Sequence, residues 1–144
     1  MIIRDLRIED IESLSKLHYQ FWSEASDEEK MMGKFAQLQI NDAYIFLCAI
    51  ENDILVGSLM GIVCEELYGD CRPFMVVENV IVDGNHRGKG IGKALLGELE
   101  KRANVRGCTK IILVTETYRK DACGLYESVG FHPTANKGYK KMLL

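Results

Sequence analysis

The chain has 144 residues, of which 47% are hydrophobic and 27% are charged; this balance is typical of a folded globular domain and excludes an intrinsically disordered protein. Its 18 basic and 21 acidic side chains give a formal net charge of −3, which disfavours nucleic acid or an anionic membrane surface as a partner. No apolar run reaches the roughly 18 residues of a membrane-spanning helix, and the N-terminus resembles neither a signal nor a transit peptide. We therefore expect one cytoplasmic domain over residues 1–144, with no nucleic-acid or membrane partner.

The cysteines and histidines are too scattered to predict a metal site. Five cysteines, an odd number, are widely spaced without a C-x-x-C pair, and the three histidines have no acidic or cysteine partner at ligand spacing. This pattern argues against a disulfide framework and against a zinc site. It predicts reduced thiols that are mostly buried, and no bound metal.

The first forty residues predict a strand followed by two helices. The strand covers Ile2–Leu6. Asp10 is the predicted N-cap of a helix whose apolar side chains recur at helical spacing, namely Ile11, Leu14, Leu17 and Phe21. Ser26 begins the capping-box sequence Ser-Asp-Glu-Glu, which predicts a second helix that ends near Ile40.

The middle of the chain predicts a β-hairpin and a further strand. Tyr44–Ile50 and Ile54–Cys64 are rich in β-branched and aromatic residues, and a Glu-Asn-Asp turn joins them. An acidic loop follows, and Phe74–Val82 reads as the next strand.

The second half alternates helices and strands. A helix is predicted from about Gly90 to Gly107, and a second, shorter helix over Asp121–Val129. Lys110–Val114 is apolar enough for a strand buried on both faces, and Tyr139–Leu143 reads as a final strand. This order predicts an α/β fold with a mixed sheet.

Three alternating glycines mark the loop between the strand that ends at Val82 and the helix that follows. They are Gly88, Gly90 and Gly92. Glycine lets backbone N–H groups approach a ligand without interference from a Cβ atom, and the N-terminus of a helix attracts anions. Arg87 and Lys89 add positive charge. The loop is therefore predicted to bind a phosphate or pyrophosphate group.

The spacing of this loop distinguishes among phosphate-binding motifs. A Walker P-loop requires four residues between its glycine and Gly-Lys, and only three separate Gly84 from Gly88. The dinucleotide pattern G-x-G-x-x-G fails because the third glycine comes one residue early. The pattern R-x-x-G-x-G fits, at Arg87, Gly90 and Gly92, and it resembles motif A of the GNAT-family N-acetyltransferases. An ordinary glycine-rich loop is the alternative for the motif alone; the similar flanking residues favour the family.

The resemblance implies a fold and a coenzyme site. The fold is α/β, with a mixed, mostly antiparallel central sheet flanked by helices and a β-loop-α site for the coenzyme A pyrophosphate. A guanidinium stands at Arg119, where the family often has asparagine, and it is interpreted as a contact to the coenzyme phosphates. The implied coenzyme-binding residues are Val80, Ile81, Val82, Arg87, Gly88, Lys89, Gly90, Ile91, Gly92, Lys93 and Arg119.

The resemblance also implies two catalytic residues. The sequence from Ala122 to Phe131 matches the family's A-x-x-x-Y-E-x-x-G-F helix, which implies that Tyr126 donates a proton or hydrogen bond to the departing thiolate. A tyrosine packed in the core is the alternative. Glu78 lies two residues before Val80, where many family members carry the base that deprotonates the amine, often through water. A strand carboxylate that faces solvent is the alternative there.

The implied reaction is transfer of an acetyl group from acetyl-coenzyme A to a primary amine, by direct attack in a ternary complex without metal. A covalent acetyl-Cys123 is a less favoured route, because no nearby histidine in the sequence activates the thiol. A non-catalytic domain that binds or senses acyl-coenzyme A is the rival function, and a P-loop nucleotide enzyme is the third hypothesis.

The acceptor amine, on a small molecule or a peptide, is not identified by the sequence. The segments that line the acceptor site in the family carry Phe21, Trp22, Glu24, Glu65, Glu66 and Asp70. These acids hint at a cationic amine, but a solvated acidic face is the favoured explanation. Small amines, amino acids, aminoglycosides and protein N-termini stay open, as does a homodimer.

Overall fold

A computed structural model describes all of residues 1–144 and contains one five-stranded sheet in the order β1-β2-β3-β4-β5. Neighbouring strands are antiparallel except β4 and β5, which are parallel. This arrangement confirms the predicted mixed, mostly antiparallel α/β fold. The elements are β1 (Ile2–Asp5), α1 (Ile11–Trp22), α2 (Glu28–Leu38), β2 (Tyr44–Glu51), β3 (Ile54–Cys64), β4 (Phe74–Val82), α3 (Ile91–Val105), β5 (Ile111–Ile112) and α4 (Lys120–Ser128), with single 3₁₀ turns at Ile8–Asp10 and Gly84–His86.

The sheet has a core on each face, because successive side chains of a strand point to opposite sides. Leu47 and Ala49 pack with α3 and with Tyr126 of α4. Cys48, between them, packs on the other face with α1 and α2. No helix is both long enough and apolar enough to span a bilayer.

The predicted hairpin and the helix after the glycine loop are confirmed. Asn52 and Asp53 both have positive φ, 50° and 62°, as a tight two-residue β-turn with matching strand twist requires. Helix α3 ends where Gly107 adopts a φ of 72°, and the N–H of Cys108 donates to the carbonyl of Ala103. This is the left-handed C-terminal cap that glycine favours.

Both predicted N-caps need correction. Asp10 precedes α1, but its carboxylate does not cap that helix; it accepts hydrogen bonds from Arg4 and from the N–H of Arg7. The charged partner across the turn outcompetes the helix N–H groups for the same oxygens. For α2 the cap is Asp27, which accepts from the N–H of Lys30, so the capping box at Ser26 was wrong by one residue.

The end of the chain differs most from expectation. β5 pairs with β4 at only two positions, and Ile112 and Val114 are exposed, so the prediction of a strand buried on both faces was wrong. Tyr139–Leu143 forms no strand. A strand requires a neighbour for its backbone groups, and β5 remains the edge of this sheet without one.

Two features of β4 open the sheet beside its second half. Asn79 has a φ of 54°, and the pairing with β3 shifts register between Ser58 and Met60; together these mark a β-bulge. β5 pairs only with Met75 and Val76. The stretch from Val77 to Val82 therefore has a paired strand on one side and none on the other.

Candidate active site

The loop between β4 and α3 presents a row of backbone donors. None of the six N–H groups of residues 88–93 makes a well-formed hydrogen bond within the chain; the first helical bond runs from the N–H of Ala94 to the carbonyl of Gly90. Gly88 and Gly90 have φ values of 75° and 81°, a conformation that side chains with a Cβ atom disfavour. Unpaired donors at a helix N-terminus form an anion-binding site.

Three basic side chains surround these donors. Arg87, Lys89 and Lys93 are all exposed. The Nε of Arg87 donates to the carbonyl oxygen of Val82 at 3.2 Å, which holds this side chain against the end of β4. The Nζ of Lys89 lies 3.9 Å from a carboxylate oxygen of Glu51. The charge of the loop is therefore positive where the N–H groups are free.

The third glycine of the motif has a packing role. Gly92 is buried, and a Cβ atom at this position would lie 2.7 Å from Cδ2 of Leu125 in α4. Gly88 and Gly90 have open space at the same point. Gly92 thus allows α4 to dock on the first turn of α3, while its N–H group stays available to a ligand.

On the open side of β4, alternate residues carry backbone groups that no neighbouring strand pairs. Ile81 pairs with Ser58 of β3, and the N–H of Asp83 donates to the carbonyl of Val56 at 2.9 Å. In an antiparallel ladder the intervening residues direct their N–H and C=O groups to the opposite side. Val80 and Val82 therefore face the gap beside β5. Ile81 does not: its backbone faces β3 and its side chain lies in the core.

Glu78 on β4 and Tyr126 on α4 are the two predicted catalytic residues. Glu78 is exposed on β4, immediately before the bulge at Asn79. The ring of Tyr126 is buried and packs edge-to-face on Phe131, with 6.0 Å between centroids. The charge of Glu78 is close enough to influence the ionisation of Tyr126. The structure thus brings the two predicted catalytic residues into one neighbourhood.

The hydroxyl of Tyr126 has no partner in the protein and is not sealed from solvent. Thr115 Oγ1 is the only enclosed side-chain oxygen or nitrogen without a hydrogen bond, so the unpartnered Tyr126 oxygen must be reached by solvent. Burial raises the pKa of Tyr126 above its ordinary value; the Arg119 guanidinium opposes this effect, and Cys123 and Glu78 reinforce it. Burial therefore disfavours the ionised form of this hydroxyl.

The side chain of Arg119 reaches from the start of α4 to α1, on the other face of the sheet. It occupies the N-cap position of α4, and its guanidinium carbon lies 4.2 Å from the ring centroid of Phe21 in α1. This is a cation–π contact, and the guanidinium makes no salt bridge. The structure therefore places Arg119 between the start of α4 and Phe21 of α1.

A family model of known proteins matches most of this chain. The model of the acetyltransferase (GNAT) family matches residues 8–131. The chain belongs to the GNAT acetyltransferase family. The match covers both the glycine loop and the helix of Tyr126.

Curated relatives of this GNAT chain match it over part of their length. An acetyltransferase of Pectobacterium atrosepticum is 35% identical over 91 residues, which are 63% of this chain and 60% of that protein. Human N-acetyltransferase 8B is 42% identical over 53 residues, 37% of this chain and 23% of that protein. The chain therefore spans about three fifths or less of the length of these relatives.

Solved structures resemble the whole fold. A putative acetyltransferase from Agrobacterium tumefaciens has a TM-score of 0.90 and 22% identity, with 99% of both chains covered. Glucosamine-6-phosphate N-acetyltransferase from Arabidopsis thaliana has a TM-score of 0.84 and 23% identity, with 97% of both chains covered. At these identities the likeness concerns the GNAT fold.

One polar residue after β5 was not singled out at the sequence level. Thr115 follows β5, and its hydroxyl oxygen is enclosed without a partner. An enclosed polar atom without a hydrogen bond is unusual and often marks a place where a ligand or water completes the site. No sequence signal identified it, since a threonine at the end of a strand is ordinary. No group of three or more His, Cys, Asp or Glu side chains is arranged to hold a metal ion.

Proposed function

We propose that this protein transfers an acetyl group from acetyl-coenzyme A to a primary amine by direct attack in a ternary complex. The observation that carries the proposal is the row of free N–H groups at residues 88–93, next to the open side of β4. Acetyl-coenzyme A would supply the acetyl group as an activated thioester. Pyrophosphate and a pantetheine arm need these two features, an anion site and an extended strand with free backbone groups.

Different residues of the chain would contact different parts of the coenzyme. The loop N–H groups, Arg87, Lys89 and Lys93 would hold the phosphates. Val80 and Val82 would pair with the pantetheine amides through their backbone, in the manner of an added strand. Arg119 would add a further cationic contact to the coenzyme phosphates. The side chains of Ile81 and Ile91 support the site from the core.

Glu78 would act as the base for the amine. A free alkylammonium has a pKa near 10.4 and a free glutamate near 4.3, so direct proton transfer is uphill by roughly 8 kcal/mol. Because Glu78 is exposed, water reaches its carboxylate and can relay the proton. An acceptor amine that binds in its neutral form needs no proton transfer before it attacks, so most of this energy difference would not arise.

Tyr126 would serve the leaving sulfur. A cysteine-like thiol has a pKa near 8.5 and an ordinary tyrosine near 10, and burial raises the pKa of Tyr126 further. Complete proton transfer from Tyr126 to a thiolate is therefore uphill. A hydrogen bond that strengthens as charge grows on sulfur fits better, and it stabilises the transition state more than the bound substrate.

The acceptor would lie near an aromatic cluster at the end of α1. Trp22 packs edge-to-face on Phe21 at 4.8 Å and on His18 at 5.2 Å, and Trp22 is 46% exposed. The charged group in contact with this cluster is the cation of Arg119. The acids of the β3–β4 loop precede β4 and lie at its other end. The aromatic cluster favours an acceptor with a flat or apolar part.

The test combines binding and turnover. Calorimetry with coenzyme A should give saturable binding of one equivalent. Release of free thiol from acetyl-coenzyme A should then be measured with a panel of small amines, amino acids, aminoglycosides and peptides. Amine-dependent thiol release supports the proposal. Binding without turnover by any class of amine would favour an acyl-coenzyme A sensor, and absence of binding would overturn the proposal.

A further inference from the structure

A side-chain network holds the segment that leads into the phosphate loop. The carboxylate of Asp83, the residue after β4, accepts from the N–H of Asn85 at 3.0 Å and lies 2.7 Å from Nδ1 of His86. Its side chain is only 15% exposed. The hydrogen bonds from these neighbours lower the pKa of Asp83, that of His86 most of all. The Asp83 carboxylate is therefore held in contact with residues of this turn and stabilises its conformation.

A residue distant in sequence completes the network. Gln20, in the last turn of α1, donates from Nε2 to Oδ2 of Asp83 at 2.9 Å. Its Oε1 accepts from the N–H of Gly84 at 3.2 Å. The two ends of one amide thus bind a side chain and a backbone group on consecutive residues of the turn, which restrains both position and orientation.

The opposite side of the turn is held by the β2–β3 hairpin. Glu51 places one carboxylate oxygen 3.6 Å from Nε2 of His86 and 3.9 Å from Nζ of Lys89. The turn therefore lies between the end of α1 and the end of β2. The residues held by α1, Asp83 and Gly84, and those held by Glu51, His86 and Lys89, all lie within five residues of Gly88, where the free N–H groups begin.

From this geometry we propose that Gln20 is a positioning residue for the coenzyme phosphates. It does not touch them; it holds the Asp83–Gly84 turn, and through the turn the N–H groups of residues 88–93. Preorganised donors bind an anion more tightly, because less conformational freedom is lost on binding. The inference rests on the proposed binding of coenzyme A at this loop and goes beyond it in assigning a role to α1.

Gln20 suits a clean test because it is exposed and lies outside both hydrophobic cores. Gln20→Ala should weaken coenzyme A binding roughly tenfold, the factor that 1.4 kcal/mol represents, with a Tm within about 2 °C of the native protein, as for a surface substitution. Lys16→Ala is the matched control, since Lys16 lies on the same helix and pairs only with Glu12. It should change neither quantity.

An exchange of donor and acceptor tests the specific hydrogen bonds. Gln20→Glu alone places two carboxylates in contact and should weaken coenzyme A binding at least as much as Gln20→Ala. Adding Asp83→Asn restores a donor–acceptor pair, with the amide now on the turn and an oxygen still available to the N–H of Gly84. This double variant should recover most of the affinity.

The outcomes separate the two proposals. If the native protein fails to bind coenzyme A, the proposed function falls, and this inference with it. If the native protein binds but Gln20→Ala binds equally well, or loses affinity only in proportion to a large fall in Tm, the positioning role is overturned while the function stands. Failure of the double variant to recover affinity relative to Gln20→Glu would also contradict it.

Discussion

Tyr126 combines a buried aromatic ring with a hydroxyl that no group of the protein satisfies. A tyrosine in the core usually has a hydrogen-bond partner for its oxygen, so an unpartnered hydroxyl that solvent reaches is available to a ligand. Glu78 shows the complementary case, an exposed carboxylate whose position is set by the bulge that follows it. The hydroxyl of Tyr126 is thus the feature that packing alone does not require.

Replacement of Tyr126 by phenylalanine keeps the ring and removes the hydroxyl. We expect a fall in kcat of about tenfold or more, the worth of one hydrogen bond to a charged group, with nearly unchanged coenzyme affinity and Tm. Because the pKa of Tyr126 is raised, the native enzyme should show no loss of rate from its ionisation below about pH 10. A wild-type rate with a Tm several degrees lower would instead identify a structural hydroxyl.

Replacement of Glu78 by glutamine removes the proposed base. The rate should fall by roughly 10²–10⁴, the range of general-base catalysis, and the acidic limb of the pH–rate profile should disappear. Coenzyme affinity should stay within a few-fold, since Glu78 is not part of the phosphate loop. Steady-state rates from about pH 3.5 to 9, a range that includes the ionisation of an ordinary glutamate, provide the measurement. An unchanged profile would transfer the role of base to another group.

At the scale of elements, the first turn of α3 joins the two halves of the site. Its free N–H groups would bind the proposed phosphates. Its buried Gly92 packs against the side chain of Leu125 in α4. The helix that carries Tyr126 is therefore docked directly on the helix that would bind the coenzyme. A displacement of either helix would alter both sites.

Two glycines of this region make a matched pair of substitutions. Gly90→Ala forces a Cβ atom into a φ of 81°, a strain of about 1–2 kcal/mol, and the loop should relax it by reorienting its N–H groups. Coenzyme affinity should fall at least tenfold by calorimetry. Gly97→Ala, in open space on α3, should leave affinity unchanged and stabilise the helix by about 0.5–1 kcal/mol. Equal affinities in the two variants would refute the role given to the loop.

The sequence predicted those elements whose signals are local. The hairpin at Asn52 and Asp53, the cap at Gly107 and the glycine loop each depend on residues adjacent in the chain. The cap of α1, the extent of β5 and the absence of a terminal strand depend on partners distant in sequence, such as Arg4 for Asp10. The packing role of Gly92 was missed for the same reason, since Leu125 meets it only in the folded chain. The roles of Glu78 and Tyr126 rested on resemblance, and they stay predictions.

At the scale of the molecule, a part-buried ion pair ties β1 to the start of α1. Arg4 donates to both carboxylate oxygens of Asp10, at 2.7 Å and 3.0 Å. Burial alone would raise the pKa of Asp10, but the hydrogen bonds from Arg4 and from the N–H of Arg7 outweigh it and lower the pKa. Because the carboxylate is 10% exposed, water does little to replace these bonds when they are lost.

This ion pair should govern part of the acid stability. A carboxyl with a lowered pKa in the folded state stabilises the protein above its unfolded pKa of about 3.9, and this contribution disappears as pH falls through the folded value. Asp10→Asn should therefore lower the free energy of unfolding by about 1.5–3 kcal/mol at pH 7, and the difference from the native protein should shrink below about pH 4.

Urea midpoints measured from pH 3 to pH 7 provide the test. Glu12→Gln is the control, because Glu12 pairs with Lys16 in full contact with solvent and should change little at any pH. If Asp10→Asn and the native protein lose stability in parallel as pH falls, the pair is not responsible.

The unpaired N–H groups of residues 88–93 also bear on how the protein should be handled in the laboratory. Sulfate, phosphate and citrate are small polyanions, and at the concentrations used in buffers and precipitants they would compete for the same donors. Any of them present at a hundred times its Kd would add about 2.7 kcal/mol to the apparent stability. A purification or melting screen in phosphate would then select the most stable preparation and the least active one, so rates should be compared in a buffer without multivalent anions.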